Sequence, residues 1–157
     1  KEIVNHLQDC DAVFVAVGGG GLISGIAGYM KSKLSNIEII GCQPEASAVM
    51  AHSIESGRIV EVKSGPTLSD GTAGGIEKDA ITFDLCKYLV DYYALISEQE
   101  IIENIQTFLD THRMLIEGAA GVALAGFLAN KEKYVGKKVV VVVCGGNIAR
   151  KTLASII

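Results

Sequence analysis

Four consecutive glycines, Gly18 to Gly21, stand between an apolar run rich in β-branched residues, Ala12 to Val17, and a segment of helical period that begins at Leu22. A tight strand-to-helix turn needs one or two residues without Cβ. Four in succession let the backbone approach a ligand closely and turn successive N–H groups inward. The N-terminus of the following helix adds positive potential, so the loop suits a phosphate or a similar anion. Glycine is in excess along the whole chain, 18 of 157 residues, or about 11% where roughly 7% is usual.

Further apolar, β-branched runs at Glu38 to Cys42, Tyr92 to Ile96 and Lys138 to Val143 predict three more buried strands. Segments of helical period lie between them. Leu22, Ile26 and Tyr29 with Met30 are expected on one helix face, and Ile101, Ile105 and Phe108 with Leu109 on another. Ser97 and Glu100 fit a capping box that starts the helix after the third strand. This alternation predicts the α/β class: an open, mostly parallel twisted sheet with helices on both faces, residues 1–157 forming part of one domain. A short helical piece, Glu2 to Gln8, runs directly into the first strand, as though the chain were met in mid-domain. Between Gly57 and Lys78 the periodicity disappears, and a loop this long inside a compact domain is usually functional.

Composition narrows the function classes. Fourteen Lys and Arg against 18 Asp and Glu give a net charge of −4, without the basic excess of a nucleic-acid footprint. Hydrophobic residues at 49% allow a sizeable core, yet no run of about 18 apolar residues could span a bilayer, so neither nucleic acid nor membrane is an expected partner. The amino terminus has no apolar centre of the kind a signal peptide needs. Cys10, Cys42, Cys86 and Cys144 are far apart, with no metal-site spacing, and read as reduced thiols of a cytoplasmic protein.

The phosphate compound is a separate question. A dinucleotide fingerprint requires a third glycine where Ile23 or Ser24 stands, and neither Lys31-Ser32 nor Lys151-Thr152 has the glycine of a P-loop. Glu45, after the second strand, could still serve as a ribose-binding acid, so a regulatory nucleotide-binding module without catalysis is the rival reading. A second glycine motif, Cys144-Gly145-Gly146-Asn147, ends the last strand. Ligands of open α/β sheets lie beyond the carboxyl ends of the strands, so Cys144 and the tetraglycine loop should line one crevice. The plainer reading makes Cys144 a small buried hydrophobe.

Taken together, Gly18-Gly19-Gly20-Gly21-Leu22, Ser69-Asp70-Gly71, Ile116-Glu117-Gly118-Ala119-Ala120-Gly121 and Cys144-Gly145-Gly146-Asn147 closely resemble, in this order, the threonine and serine dehydratases. These are pyridoxal 5'-phosphate enzymes of the tryptophan-synthase β fold (fold type II), a group that includes serine racemase and the hydroxyaspartate ammonia-lyases. The resemblance implies that Gly18, Gly19, Gly20, Gly21 and Leu22 cradle the cofactor phosphate and that Gly71 borders its ring. Cys144 is similar to the Ser or Cys that meets the pyridine nitrogen, and Glu117 to an acid close to the cofactor. Glu117 also reads as a helix N-terminal acid complementing the dipole of Ala119 to Leu128. His6, His52 and His112 match no motif, and Tyr29, Tyr88, Tyr92, Tyr93, Phe14 and Phe83 are expected in the core.

The implied activity is dehydration and deamination of L-threonine or L-serine to a 2-oxo acid and ammonia, with racemase or hydroxyaspartate lyase activity as the alternative. The family's Schiff-base lysine sits in a Ser-Phe-Lys segment before the tetraglycine loop, and no lysine here has that context. The chain therefore resembles the carboxyl-terminal half of the large domain, with the amino-terminal half of the same enzyme as its expected partner, a homodimer as the expected assembly, and no activity expected of these residues alone. Cation-binding relatives place acids at the positions of Gln43 and Val49, which bring no charge, so no metal is expected there.

Overall fold

The computed structural model describes residues 1–157. Four parallel strands, β1 (Ala12–Ala16), β2 (Glu38–Pro44), β3 (Tyr92–Ile96) and β4 (Val139–Val141), form one sheet in the order β3-β2-β1-β4. Seven helices accompany them: α1 (Glu2–His6), α2 (Gly21–Lys31), α3 (Val49–Glu55), α4 (Ile81–Leu89), α5 (Glu98–His112), α6 (Gly118–Ala129) and α7 (Arg150–Ile156). The α/β class and the four strands agree with the sequence reading, and the tract from Gly57 to Lys78 contains only a short 3-10 turn at Asp70–Thr72.

Alternation along β1 divides the core in two. Ala12 and Phe14 point into a cluster with Ile101 and Ile105 of α5 and Ala120, Val122 and Ala125 of α6. Val13, Val15 and Val17 point into the other, with Ile23, Ala27 and Met30 of α2, Met50 of α3 and Phe83 and Cys86 of α4. A strand covered on both faces has no polar side to show, which is why β1 reads as an unbroken apolar run. α5 opens with the expected box: the Glu100 backbone N–H donates to Ser97 Oγ while Ser97 N–H donates to the Glu100 carboxylate.

Two side-chain expectations are corrected. The buried face of α2 is Ile23, Ala27 and Met30, whereas Leu22 is 47% exposed and borders a surface groove with Ile26 and Tyr29. The helix starts at Gly21, so the sheet-facing stripe begins one residue later than the apolar pattern implied. Tyr88 and Tyr92 are exposed, not core. Ile81, Leu85 and Tyr88 form an exposed apolar stripe along α4, at the spacing of one helix face.

α6 lies flush on the sheet because its sheet-facing residues are small; a Cβ at Gly126 would overlap Cys42 Sγ on β2. Gly126→Ala is expected to lower stability by about 1–3 kcal/mol despite alanine's higher helix propensity. Gly25→Ala on α2, where nothing lies within 4 Å of the new methyl, should raise it by up to ~1 kcal/mol. Thermal unfolding of the two variants checks the opposite signs.

Candidate functional site

The sheet order makes β1 the point where the chain reverses direction: β2 and β3 build out from one edge, and β4 returns to the other. A crevice opens beyond the carboxyl ends of two parallel neighbours at such a switch point. β1 pairs with β4 through Ala12↔Val139, Val13↔Val140 and Phe14↔Val141. In this register the segments that follow the two strands, Gly18 to Gly21 and Cys144 to Asn147, come out side by side.

The tetraglycine loop and Cys144 line one cavity of about 290 Å³. All eight residues singled out from the sequence, Gly18, Gly19, Gly20, Gly21, Leu22, Gly71, Glu117 and Cys144, are in its wall. The glycines of the loop have different causes. Gly20 adopts φ +87 as the N-cap of α2, a left-handed conformation that favours glycine, and a Cβ there would press on Cys86 Sγ and Met50 Cε at 2.9 Å. Gly18 lies so close to Thr72 that a Cβ would stand 3.2 Å from its Cα. Gly19 and Gly21 have nothing within 4 Å. A Cβ there would stand in open space, so the packing of the loop does not require glycine at these two positions, which line the cavity.

No side chain caps α2. Its first N–H groups, unpaired within the helix like those of any helix start, form the electropositive end of the cavity. Glu117 stands at the N-cap of α6, so its place at a helix start and its place in the cavity wall are both realised. Its carboxylate does not cap α6; Oε2 accepts from the Asn147 N–H at 3.1 Å, and the Glu117 N–H donates to the Gly145 carbonyl at 3.1 Å. A Cβ on Gly145 would overlap that carboxylate, and one on Gly146 would stand 3.1 Å from the Leu115 carbonyl oxygen. The second glycine motif is thus required by the close approach of the Leu115 to Glu117 segment. Neither Gly145 nor Gly146 has a positive φ.

Cys144 is exposed, in contrast to the plainer reading of it as a buried strand end. Desolvation pushes its thiol pKa up, and the Glu117 carboxylate pushes it further in the same direction. The thiol is therefore neutral around pH 7. Thr72, which sequence reasoning passed over, also lines the cavity; its hydroxyl meets Ser69 Oγ at 2.6 Å and donates to the Ser69 carbonyl, locking the turn that presents Gly71. Its only signal was adjacency to Ser69-Asp70-Gly71. Glu45 is exposed and lies outside the cavity wall. No lysine lines the cavity, and Lys1 borders a different groove with Leu22 and Ile26.

These residues fit pyridoxal phosphate: a backbone cradle with room where side chains would be, at a helix N-terminus, and a neutral sulfur donor in the same wall. The comparisons with known proteins agree. The chain is 42% identical over 147 residues to the L-threonine ammonia-lyase of Thermotoga maritima, covering 94% of this chain and 36% of that protein. It is 34% identical over 157 residues to the L-threo-3-hydroxyaspartate ammonia-lyase of Saccharomyces cerevisiae, covering 100% and 48%. The processed form of threonine deaminase isoform 2 from Solanum lycopersicum superimposes with a TM-score of 0.91 at 33% identity, over 99% of this chain and 46% of that one. The chain thus spans less than half the length of each of these relatives. Residues 1–145 match the family described as "Pyridoxal-phosphate dependent enzyme", which decides against the reading as a nucleotide-binding module without catalysis. On this match over 145 of its 157 residues, the chain belongs to the pyridoxal-phosphate dependent enzymes.

Proposed function

We propose that this chain is the phosphate- and ring-binding part of a threonine or serine ammonia-lyase, which converts the amino acid to a 2-oxo acid and ammonia. The observation that carries the reading is the convergence of four sequence motifs, spread from Gly18 to Asn147, on one cavity at the switch point of the sheet. The name of the Thermotoga relative favours threonine as substrate. In this reading the Gly18 to Gly21 backbone and the start of α2 hold the phosphate, Gly71 borders the ring, and Cys144 meets its nitrogen. The bound cofactor supplies an electron-withdrawing ring that eases loss of an α-proton and departure of a β-hydroxyl.

Cys144 decides how strongly that ring withdraws electrons. A carboxylate at the same place would hold a proton on the nitrogen, whereas a neutral thiol is a weak donor that leaves it uncharged. Desolvation, and to a lesser degree the Glu117 carboxylate, move the thiol further from ionising. The cavity wall holds no lysine, so in this reading the amine that would hold the cofactor covalently comes from another part of the enzyme. The remainder of the enzyme and a second copy are the proposed partners. The exposed apolar stripe of α4 and the half-buried, unpaired side of the valine strand β4 favour such covering. No helix is long and apolar enough to cross a membrane. We place the enzyme in the cytoplasm on its four unpaired cysteines.

Gly19 is the cleanest probe of the cradle, since a Cβ there meets no protein atom within 4 Å. In the full-length enzyme Gly19→Val is expected to fold normally and to lose tenfold or more in cofactor affinity, measured by equilibrium titration; unchanged affinity would refute the assignment. Alkylation of the apo enzyme should label Cys144 ahead of the buried Cys10, Cys42 and Cys86. Its rate should still climb with pH above the ordinary thiol range, as the raised pKa requires, and bound cofactor should protect it. Cys144→Ser should retain elimination activity. Cys144→Asp, at full cofactor occupancy, should raise transamination or racemisation relative to elimination, and an unaltered product ratio would remove Cys144 from the ring nitrogen.

A further inference from the structure

Gln43 is 1% exposed, and both ends of its side-chain amide are in use. Nε2 donates to the Val17 carbonyl at 3.0 Å, and Oε1 accepts from the Ala51 backbone N–H at 2.8 Å. Those two partners fix which way the amide points, because one can only accept and the other only donate. Both partners belong to the surroundings of the tetraglycine loop. Val17 is the residue from which the loop departs, after its own N–H has made the last ladder bond to the Cys42 carbonyl at 2.9 Å. Ala51 follows Met50, whose Cε stands 2.9 Å from where a Gly20 Cβ would be and so forms part of the floor beneath the loop.

A parallel strand that continued past Val17 would give its carbonyl to the neighbouring backbone. Gln43 takes that carbonyl with a side chain instead, which lets the glycines leave the sheet while the start of the loop stays anchored. The same amide also pairs an N–H in the first turn of α3, a helix with no side-chain cap of its own. One buried side chain thus ties the start of the loop to the helix that supports its middle.

We infer that Gln43 is a positioning residue for the phosphate cradle, acting through Val17 and α3 without touching the ligand. This rests on the reading of the loop as that cradle. Losing the donor leaves the Val17 carbonyl buried without a partner and frees the loop to drift, which should cost roughly tenfold in affinity for a ligand held by the loop.

The test uses the full-length enzyme and two probes that differ only in the phosphate, pyridoxal phosphate and pyridoxal. Dissociation constants are measured for the parent, for Gln43→Met, which removes both polar ends without adding charge, and for Gln43→Glu, which keeps an acceptor for Ala51 and removes the amide donor. The parent should bind the phosphorylated probe much more tightly. Both variants should lose about tenfold of that preference while their affinity for pyridoxal stays near the parent's, with a shifted phosphorus resonance for the bound phosphate. A parent with no preference for the phosphate would overturn the cradle reading itself. Variants that keep the full preference would overturn only the role of Gln43. Variants that weaken equally for both probes, or that fail to fold, would show Gln43 to be a general structural residue and would equally overturn it.

Discussion

The parallel pairing of β1 with β4 is the contact on which the site depends. Three residue pairs, from Ala12↔Val139 to Phe14↔Val141, bring together segments more than 120 positions apart. Without them the tetraglycine loop would end one strand at a sheet edge, with Cys144 and Glu117 elsewhere. The pairing is apolar and buried on the β1 side, where Ala12, Val13 and Phe14 are fully enclosed between the two helical layers. Hydrophobic burial thus supplies the driving force, and the ladder supplies the register.

Around that crevice, glycine answers several physical demands. Gly20 supplies a left-handed turn above Cys86 and Met50. Gly18, Gly118 and Gly145 permit backbone or a carboxylate to come closer than a methyl group allows, against Thr72, Leu68 and Glu117. Gly19 and Gly21 are bare where nothing of the protein lies near. Only this last kind leaves open room in the cavity wall. The distinction explains why Gly145 and Gly146, the second glycine motif of the sequence, are better understood as the surface against which the Leu115 to Glu117 segment rests.

The electrostatics of the cavity are divided. The uncapped start of α2 makes one part suited to an anion, while Glu117 and the neutral thiol of Cys144 occupy another part of the wall. Glu117 is held by the Asn147 N–H, and desolvation first and this carboxylate second raise the pKa of the Cys144 thiol. A phosphorylated aromatic ring, anionic at one end and weakly basic at the other, matches this division.

Much of the fold was legible in the sequence because its signals are local. Continuous apolar runs mark strands buried on both faces, the Ser97 to Glu100 box marks a helix start, and four glycines after a strand mark a loop of bare backbone. The tetraglycine loop and Cys144 stand out from local motifs in the same way, whereas Leu22, Gly71 and Glu117 were singled out by the resemblance to the dehydratases. What the motifs could not convey was contact. The buried stripe of α2 was displaced by one position because the helix start depends on how the glycines leave the sheet, and Tyr88 and Tyr92 were placed inside because aromatic character does not reveal which face a neighbour covers. Thr72 and Gln43 carry no motif; their roles exist only where the Ser69 hydroxyl, the Val17 carbonyl and the Ala51 N–H meet them. The sequence by itself determined the strands and the glycine loop, since these follow from periodicity and from the absence of Cβ. Only the tertiary structure decided that β4 returns beside β1, because that choice depends on burying two helical layers against one sheet, a property of the whole chain and of no segment within it.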